Sequence, residues 1–430
     1  MSFFFFVFGG KMLSLLNLAF ALLAGLMLTR AVTKWHLPDV TAFLIAGVLI
    51  GPYVLGNLGI KGLGFASAED IEDLSVISSV AMGFIAFSIG SEFKLSELKK
   101  IGSKAVIIGI VQALCACILT DLALIVFHFK KPEYISLPAA IVLGAIATAT
   151  APAATLMVVR QYKAKGELTN ILLPVVALDD AVGLIIFAVS FGIAKTISSG
   201  ELNLVAIFVN PLIEIVASLL LGAAAGWIMT KLESMFHSGR NRMSMTIGFV
   251  LLMVSLSQIN IALPGKLEIG FSPLLVCMML GTIFCNNCPT AEDIMNRADV
   301  WSQPLLAVFF VISGSQLELS VFRHSSTLLI GITFILARSA GKYFGAAFSA
   351  KACSCSSNVV KYLGITLLPQ AGVALGMCVS AQALGNTDGG LIRNVVLFAV
   401  LIYELFGPLA TKEALIKAGE ITEKQPKAKA

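Results

Sequence analysis

Two adjacent acids, Asp179 and Asp180, interrupt the run LLPVVALDDAVGLIIFAV (Leu172–Val189), and from Ile171 to Ala194 no other side chain ionises. Asp180 lies about 12 residues into its apolar run, roughly 18 Å along a helix axis and near the middle of a bilayer. An acid at that depth is expensive unless it is paired or put to use. A second run, LLIGITFILARSAGKYFGAAFSAK (Leu328–Lys351), carries the complementary charges Arg338 and Lys342. These two are four apart and share one helix face, and pairing the two runs would offset the burial cost of both signs. Neighbours on a helix point about 100° apart, so one aspartate can be held by Lys342 while the other faces a cavity. That second carboxylate would accept a proton or, in its place, a small dehydrated cation, because hard cations prefer oxygen ligands. A site that holds either guest but never both is the least chemistry an antiporter requires. The competing reading, a salt bridge that only locks two helices together, leaves the second acid without a purpose.

The elements that must position these residues are written in the composition. The chain has 430 residues, 57% hydrophobic and only 13% charged, with a mean hydropathy of +0.92. Repeated apolar runs of roughly 20 residues, each closed by Lys, Arg, Asn, Gly or Pro, read as membrane-spanning helices. Thirteen are expected, at 12–33, 38–56, 72–91, 103–129, 136–160, 168–196, 203–232, 243–262, 268–286, 301–315, 325–351, 359–384 and 390–412. The fold class is therefore an all-α polytopic membrane protein, a single membrane domain over 1–430 with a short polar tail at 413–430. The opening MSFFFFVFGGK has too short an apolar block for a secretory signal and leads into the first span. A net charge of +5 is small for this length and suggests no nucleic-acid partner.

Loops after odd-numbered spans carry Arg30, Lys34, Lys94, Lys99, Lys100, Lys104, Arg160, Lys163, Lys165, Lys231, Arg240 and Arg242, and the alternate loops are poorer in basic residues. The positive-inside rule then puts the N-terminus outside and the C-terminus in the cytoplasm. An odd count permits two six-helix halves of opposite orientation joined by the seventh span, the inverted-repeat plan of many secondary transporters. The corresponding fifth and twelfth spans both look broken. LGAIATATAPAATLMVV (Leu143–Val159) has Pro152 preceded by Thr148 and Thr150, and LGITLLPQAGVALGMCV (Leu363–Val379) has Pro369, Gln370 and Gly372 at its middle. Proline removes a backbone donor and disfavours helix just before it. Two breaks at matching positions favour unwound backbone lining a water-filled cavity over a pair of simple kinks.

Other intramembrane polar residues are less decisive. Asp121 and His128, seven apart on one face, suit a structural hydrogen bond; Glu92 and Glu214 sit near span ends; and Glu404 could brace Arg338. Of the eight cysteines, Cys285–Cys288 and Cys353–Cys355 are closely spaced. The four histidines show no pairing that would complete a zinc site. No nucleophile–base pair or metal-ligand set suggests an enzyme, and no cofactor is expected beyond the transported ions.

Seven motifs in order resemble those of the bacterial cation:proton antiporters, especially the sodium/proton branch with an Asp-Asp pair. They are GVLIGPYVLG, SVAMGFIAFSIGSEFKLSELKK, ATATAPAATLMVVR, VVALDDAVGL, GKYFGA, LLPQAGVALGM and ELFGPLATKEALIKAGE. Ser91 stands where a Leu before the Glu is usual. The resemblance implies that Asp180 binds cation and proton, that Asp179 bonds to Lys342, and that Thr148 or Thr150 contributes at the crossing-helix break. It implies a homodimer in the bacterial inner membrane, with core helices over about 72–196 and 301–412 moving as an elevator beside scaffold helices over about 12–56 and 203–286. It implies electrogenic exchange of Na+ or Li+ for H+, although Arg338, one turn before the lysine, is unusual. A K+/H+ antiporter, a sodium-coupled organic anion symporter and an ion channel stand as alternatives.

Overall fold

The computed structural model describes residues 10–32, 39–58, 64–65, 67, 70–71, 73–92, 103–151, 155, 158–159, 162–198, 204–259, 261–263, 267–317 and 325–421. These hold fourteen α-helices: α1 Gly10–Val32, α2 Asp39–Ile50, α3 Ser75–Glu92, α4 Ser103–Lys130, α5 Leu137–Ile146, α6 Glu167–Ser198, α7 Leu204–Glu233, α8 Gly239–Leu256, α9 Pro273–Asn287, α10 Ala291–Ser315, α11 Ser325–Ala352, α12 Ser357–Thr366, α13 Gly372–Ala381 and α14 Asn386–Lys417. Seven of them, α1, α4, α6, α7, α10, α11 and α14, are long and apolar enough to cross a bilayer. The outer face of α4 bears Ile107, Ile110, Leu114, Ile118, Leu122 and Phe129 in the open, an apolar stripe that suits lipid and not water.

Each expected span coincides at least in part with helix, but several boundaries move, among them the start of the ninth, now Pro273, and the end of the thirteenth, now Lys417. The second helix stops at Ile50, before Gly51-Pro52. The tenth begins at Ala291, because its first turns, AEDIMNRADV, are helical but too polar to register as a span. The eighth ends at Leu256 and is followed by an antiparallel hairpin, β1 Ile261–Leu263 paired with β2 Leu267–Ile269, a small departure from an all-α chain.

The chain divides into two compact units. The first, 1–81 with 302–320, packs α1 and α2 against the end of α10 around Ala21, Ala46, Ile50, Phe65 and Val311. Here Gly47 and Gly314 let backbones touch: a Cβ on Gly47 would lie 2.0 Å from the Val311 carbonyl oxygen, and one on Gly314 2.1 Å from that of Leu44.

The second unit, 82–301 with 321–430, holds the acid pair. Within it α4 lies close along α11. A Cβ on Gly341 would fall 2.5 Å from Ala116 Cα, and one on Gly345 2.8 Å from Gln112 Cα. Small residues four apart are what let two membrane helices approach this closely. The end of α3 packs in the same manner on α9, where a Cβ on Gly281 would meet the Phe87 carbonyl oxygen at 2.2 Å.

Both expected breaks are present. α5 starts cleanly, with Ser136 as its N-cap accepting from Ala139 N–H and Pro138 in the first turn. It stops at Ile146, residues 149–151 have no regular structure, and helix resumes by Thr155; Pro152 lies outside the described residues. The twelfth expected span is two helices, α12 and α13, separated by Leu367–Ala371 with Pro369 at the centre.

Candidate functional site

The two breaks cross and are bonded to one another. Ala151 N–H donates to the Pro369 carbonyl at 2.8 Å, Gln370 Nε2 to the Ile146 carbonyl at 2.9 Å, and Thr155 Oγ1 to the Thr366 carbonyl at 3.2 Å. Unwinding a helix leaves carbonyls without their intrahelical donors. Two buried cations of α11 supply donors to them. Arg338, 0% exposed, spends each of three nitrogens on backbone: Nε to Ala147 O at 3.0 Å, Nη2 to Ala149 O at 2.6 Å and Nη1 to Leu368 O at 2.8 Å. Its guanidinium stacks on the Tyr403 ring, 4.4 Å from the centroid, and the Tyr403 hydroxyl donates to Ile335 O at 2.8 Å. The arginine therefore joins the C-terminal ends of α5 and α12, where the helix dipoles present negative partial charge. Glu404 does not brace it. That carboxyl is fully buried on α14, and its oxygens have no hydrogen-bond partner among the described residues.

One turn along α11, Lys342 completes the set. Its ammonium donates to Thr148 O at 2.5 Å, Thr150 Oγ1 at 2.9 Å and Asp179 Oδ2 at 2.6 Å, which uses all three of its protons. Asp179 and Lys342 are both 0% exposed. Asp179 also accepts from the Thr150 hydroxyl and from Gln112 Nε2. A buried ion pair is tolerable only when its remaining valences are satisfied in this way. Gln112, from α4, is the member that the sequence reading passed over. Its only signal is an amide in the middle of an apolar run, and only the close approach of α4 to α11 brings it to the acid.

Asp180 is 2% exposed. It interacts with Lys342 through space, while the lysine's hydrogen bonds go elsewhere. One turn beyond the acids, Gly183 makes room for Thr148: a Cβ there would lie 2.7 Å from Thr148 Oγ1. Thr150 thus belongs to the acid–lysine pair, whereas Thr148 offers its carbonyl to Lys342 and donates its hydroxyl to the Ala145 carbonyl at 2.6 Å, beside Gly183 of α6. At the freed carbonyls of the two breaks, Arg338, Lys342 and Gln370 supply the donors.

The remaining sequence candidates fall elsewhere. Asp121 is not bonded to His128. It accepts from Cys117 Sγ at 3.3 Å and presses on Gly144, and His128 Nδ1 lies 2.7 Å from Ile135 O. All eight cysteines are free, and no cluster of three His, Cys, Asp or Glu suited to a resident metal occurs among the described residues. What the site can do chemically follows from its charges: two acids and two bases, all buried, with one acid saturated by donors and the other beside it.

The chain as a whole is similar to known proteins. A family profile described as sodium/hydrogen exchanger, transmembrane, matches residues 18–417. Two relatives from Synechocystis sp. (strain ATCC 27184 / PCC 6803 / Kazusa) are each 22% identical. The high-affinity Na+/H+ antiporter NhaS3 aligns over 92% of this chain and 88% of its own, and the Na+/H+ antiporter NhaS4 over 91% and 94%. Among solved structures, that of the sodium proton antiporter MjNhaP1 from Methanocaldococcus jannaschii at pH 8 superposes with a TM-score of 0.70 at 18% identity, covering 95% of this chain and 100% of that one. A second structure of MjNhaP1, from electron microscopy, gives 0.67 at 19% identity, covering 97% and 99%.

Proposed function

We propose that this chain, which belongs to the transmembrane sodium/hydrogen exchanger family, exchanges Na+ or Li+ for H+ through a site centred on Asp180. It is a multi-pass membrane transporter and not an enzyme, and the two relatives, both Na+/H+ antiporters, support sodium as the cation. The observation that carries the assignment of residues is the buried Lys342–Asp179 pair, set where two broken helices cross and immediately beside a second buried acid.

In this reading Asp179 is a fixed counter-charge, tied by Lys342, Thr150 and Gln112, and Asp180 is the exchangeable acid. A cation or a proton discharges Asp180, and neutralising the site lowers the cost of carrying it through low dielectric. Alternating access follows if the site opens to one side at a time. The movement we propose is an elevator of the core helices, over about 72–196 and 301–412, against the scaffold helices, and the bonds that join α5, α6, α11 and α12 around the breaks support it. We place the N-terminus outside and the C-terminus in the cytoplasm by the distribution of basic loops, and expect from the family resemblance a bacterial inner membrane, a homodimer and electrogenic exchange.

The test is current and pH-gradient measurement on proteoliposomes, stepping sodium, lithium and potassium at several pH values. Sodium-driven proton flux is expected from the native chain and none from Asp180→Asn. Full flux in that variant would end the assignment of Asp180. A response to potassium alone would make the protein a K+/H+ antiporter, flux that depends on an organic anion would indicate a symporter, and currents far above carrier turnover would indicate a channel.

A further inference from the structure

The N-terminus of the acid-bearing helix α6 is capped by a residue more than two hundred positions away. α14 ends at Lys417, and Gly419, at φ +78°, turns the chain back in the left-handed region that favours glycine. Glu420 N–H then closes on Leu415 O at 3.0 Å. This turn delivers the Glu420 carboxylate to the first turn of α6. Oε1 accepts from Leu168 N–H at 2.6 Å, and Oε2 accepts from Thr169 N–H at 2.8 Å and from the Thr169 hydroxyl at 2.7 Å. The Glu420 carbonyl accepts from Lys165 N–H at 3.2 Å. Gly166 leaves the room: a Cβ there would lie 2.2 Å from Glu420 Oε1. The helix's own first-turn acid, Glu167, is turned away to Ser356 N–H at 3.4 Å, just before α12. Asn358 of α12 donates to Ala418 O at 3.0 Å, and Ile421 is buried in the apolar cluster that includes Leu168, Leu172 and Leu363.

A carboxylate on free N–H groups at a helix start is favoured by both hydrogen bonding and the helix dipole. Why α6 needs one from outside follows from Pro174, inside the helix between its first turns and the acids. That proline has no N–H for the Asn170 carbonyl, so the first two turns are weakly tied to the rest of α6 by its own ladder. We infer that Glu420 is a positioning residue for exchange. Its carboxylate fixes the start of α6 to the end of α14 and the start of α12, and so sets the height of Asp179 and Asp180 against the crossed breaks. This rests on the exchange reading above.

The test uses the full chain in proteoliposomes, with Glu420→Ala, Glu420→Asp and Gly166→Ala, and measures sodium KM and maximal rate separately. Glu420→Ala is expected to raise KM roughly fivefold, the affinity equivalent of one lost cap. Glu420→Asp should recover part of this, and Gly166→Ala, which displaces the carboxylate without removing it, should shift KM in the same direction as Glu420→Ala. Amide hydrogen exchange should show lost protection at 167–173 in Glu420→Ala. An unchanged KM in Glu420→Ala, with the rate following only the amount of folded protein, would overturn the inference and leave the exchange reading standing. If the native chain itself moved no cation, both would fall. Should Glu420→Ala not fold, a native KM in Gly166→Ala would overturn the inference by itself.

Discussion

Replacing Lys342 by methionine separates the electrostatic account of the site from one based on packing alone. Methionine keeps the length and apolar stem of lysine but donates nothing, so Asp179 retains Thr150 and Gln112 while losing its counter-charge, and the Thr148 carbonyl loses a donor at 2.5 Å. Removing one partner of a buried pair typically costs about 3–5 kcal/mol. Adding Asp179→Asn removes the stranded charge, and the double variant should recover most of the loss except the roughly 1–3 kcal/mol of the unsatisfied Thr148 carbonyl. Denaturant unfolding in detergent, on the native chain, both single variants and the double variant, measures these losses. Losses that simply add in the double variant would refute the reasoning.

Two further predictions come from glycines at close contacts. Gly183→Ala places a methyl 2.7 Å from the Thr148 hydroxyl, so it should raise the sodium KM with little change in folded yield; a native KM would show that Thr148 does not need its present position. Gly341→Leu drives a side chain into the α4 backbone at Ala116 and should destabilise by about 1–3 kcal/mol or more, whereas Gly248→Ala, with nothing within 4 Å of the new methyl, should be neutral or slightly stabilising; denaturant titration compares the two.

Much of this architecture was legible because the bilayer demands long apolar runs that close their own backbone bonds. The acid pair, the two cations four apart and the proline at 369 stand out against that background for the same reason: each violates a run that is otherwise uniform. What could not be read were choices of partner. Arg338 is matched to an acid in any count of charges, yet it binds three carbonyls, because unwinding α5 and α12 creates acceptors that no residue type announces. His128 and Asp121 share a helix face, but the fold offers each a nearer partner. Gln112 is one amide among apolar neighbours, and its role depends on Gly341 and Gly345 closing α11 onto α4. The early start of α10 is hidden because its first turns are polar. Glu420 closes the motif ELFGPLATKEALIKAGE, but nothing in the sequence pairs it with the start of α6, more than two hundred positions away.

The contact between Ala151 N–H and the Pro369 carbonyl has a consequence for how this protein can be watched. It joins main chain to main chain, so among ordinary substitutions only proline at 151 deletes its donor, and genetic drift in side chains has little hold on it. A single nitrogen-15 label at Ala151 would therefore serve as a gauge. Its chemical shift reports whether the crossing stays shut or parts as the protein turns over, without altering one atom of the chemistry being observed.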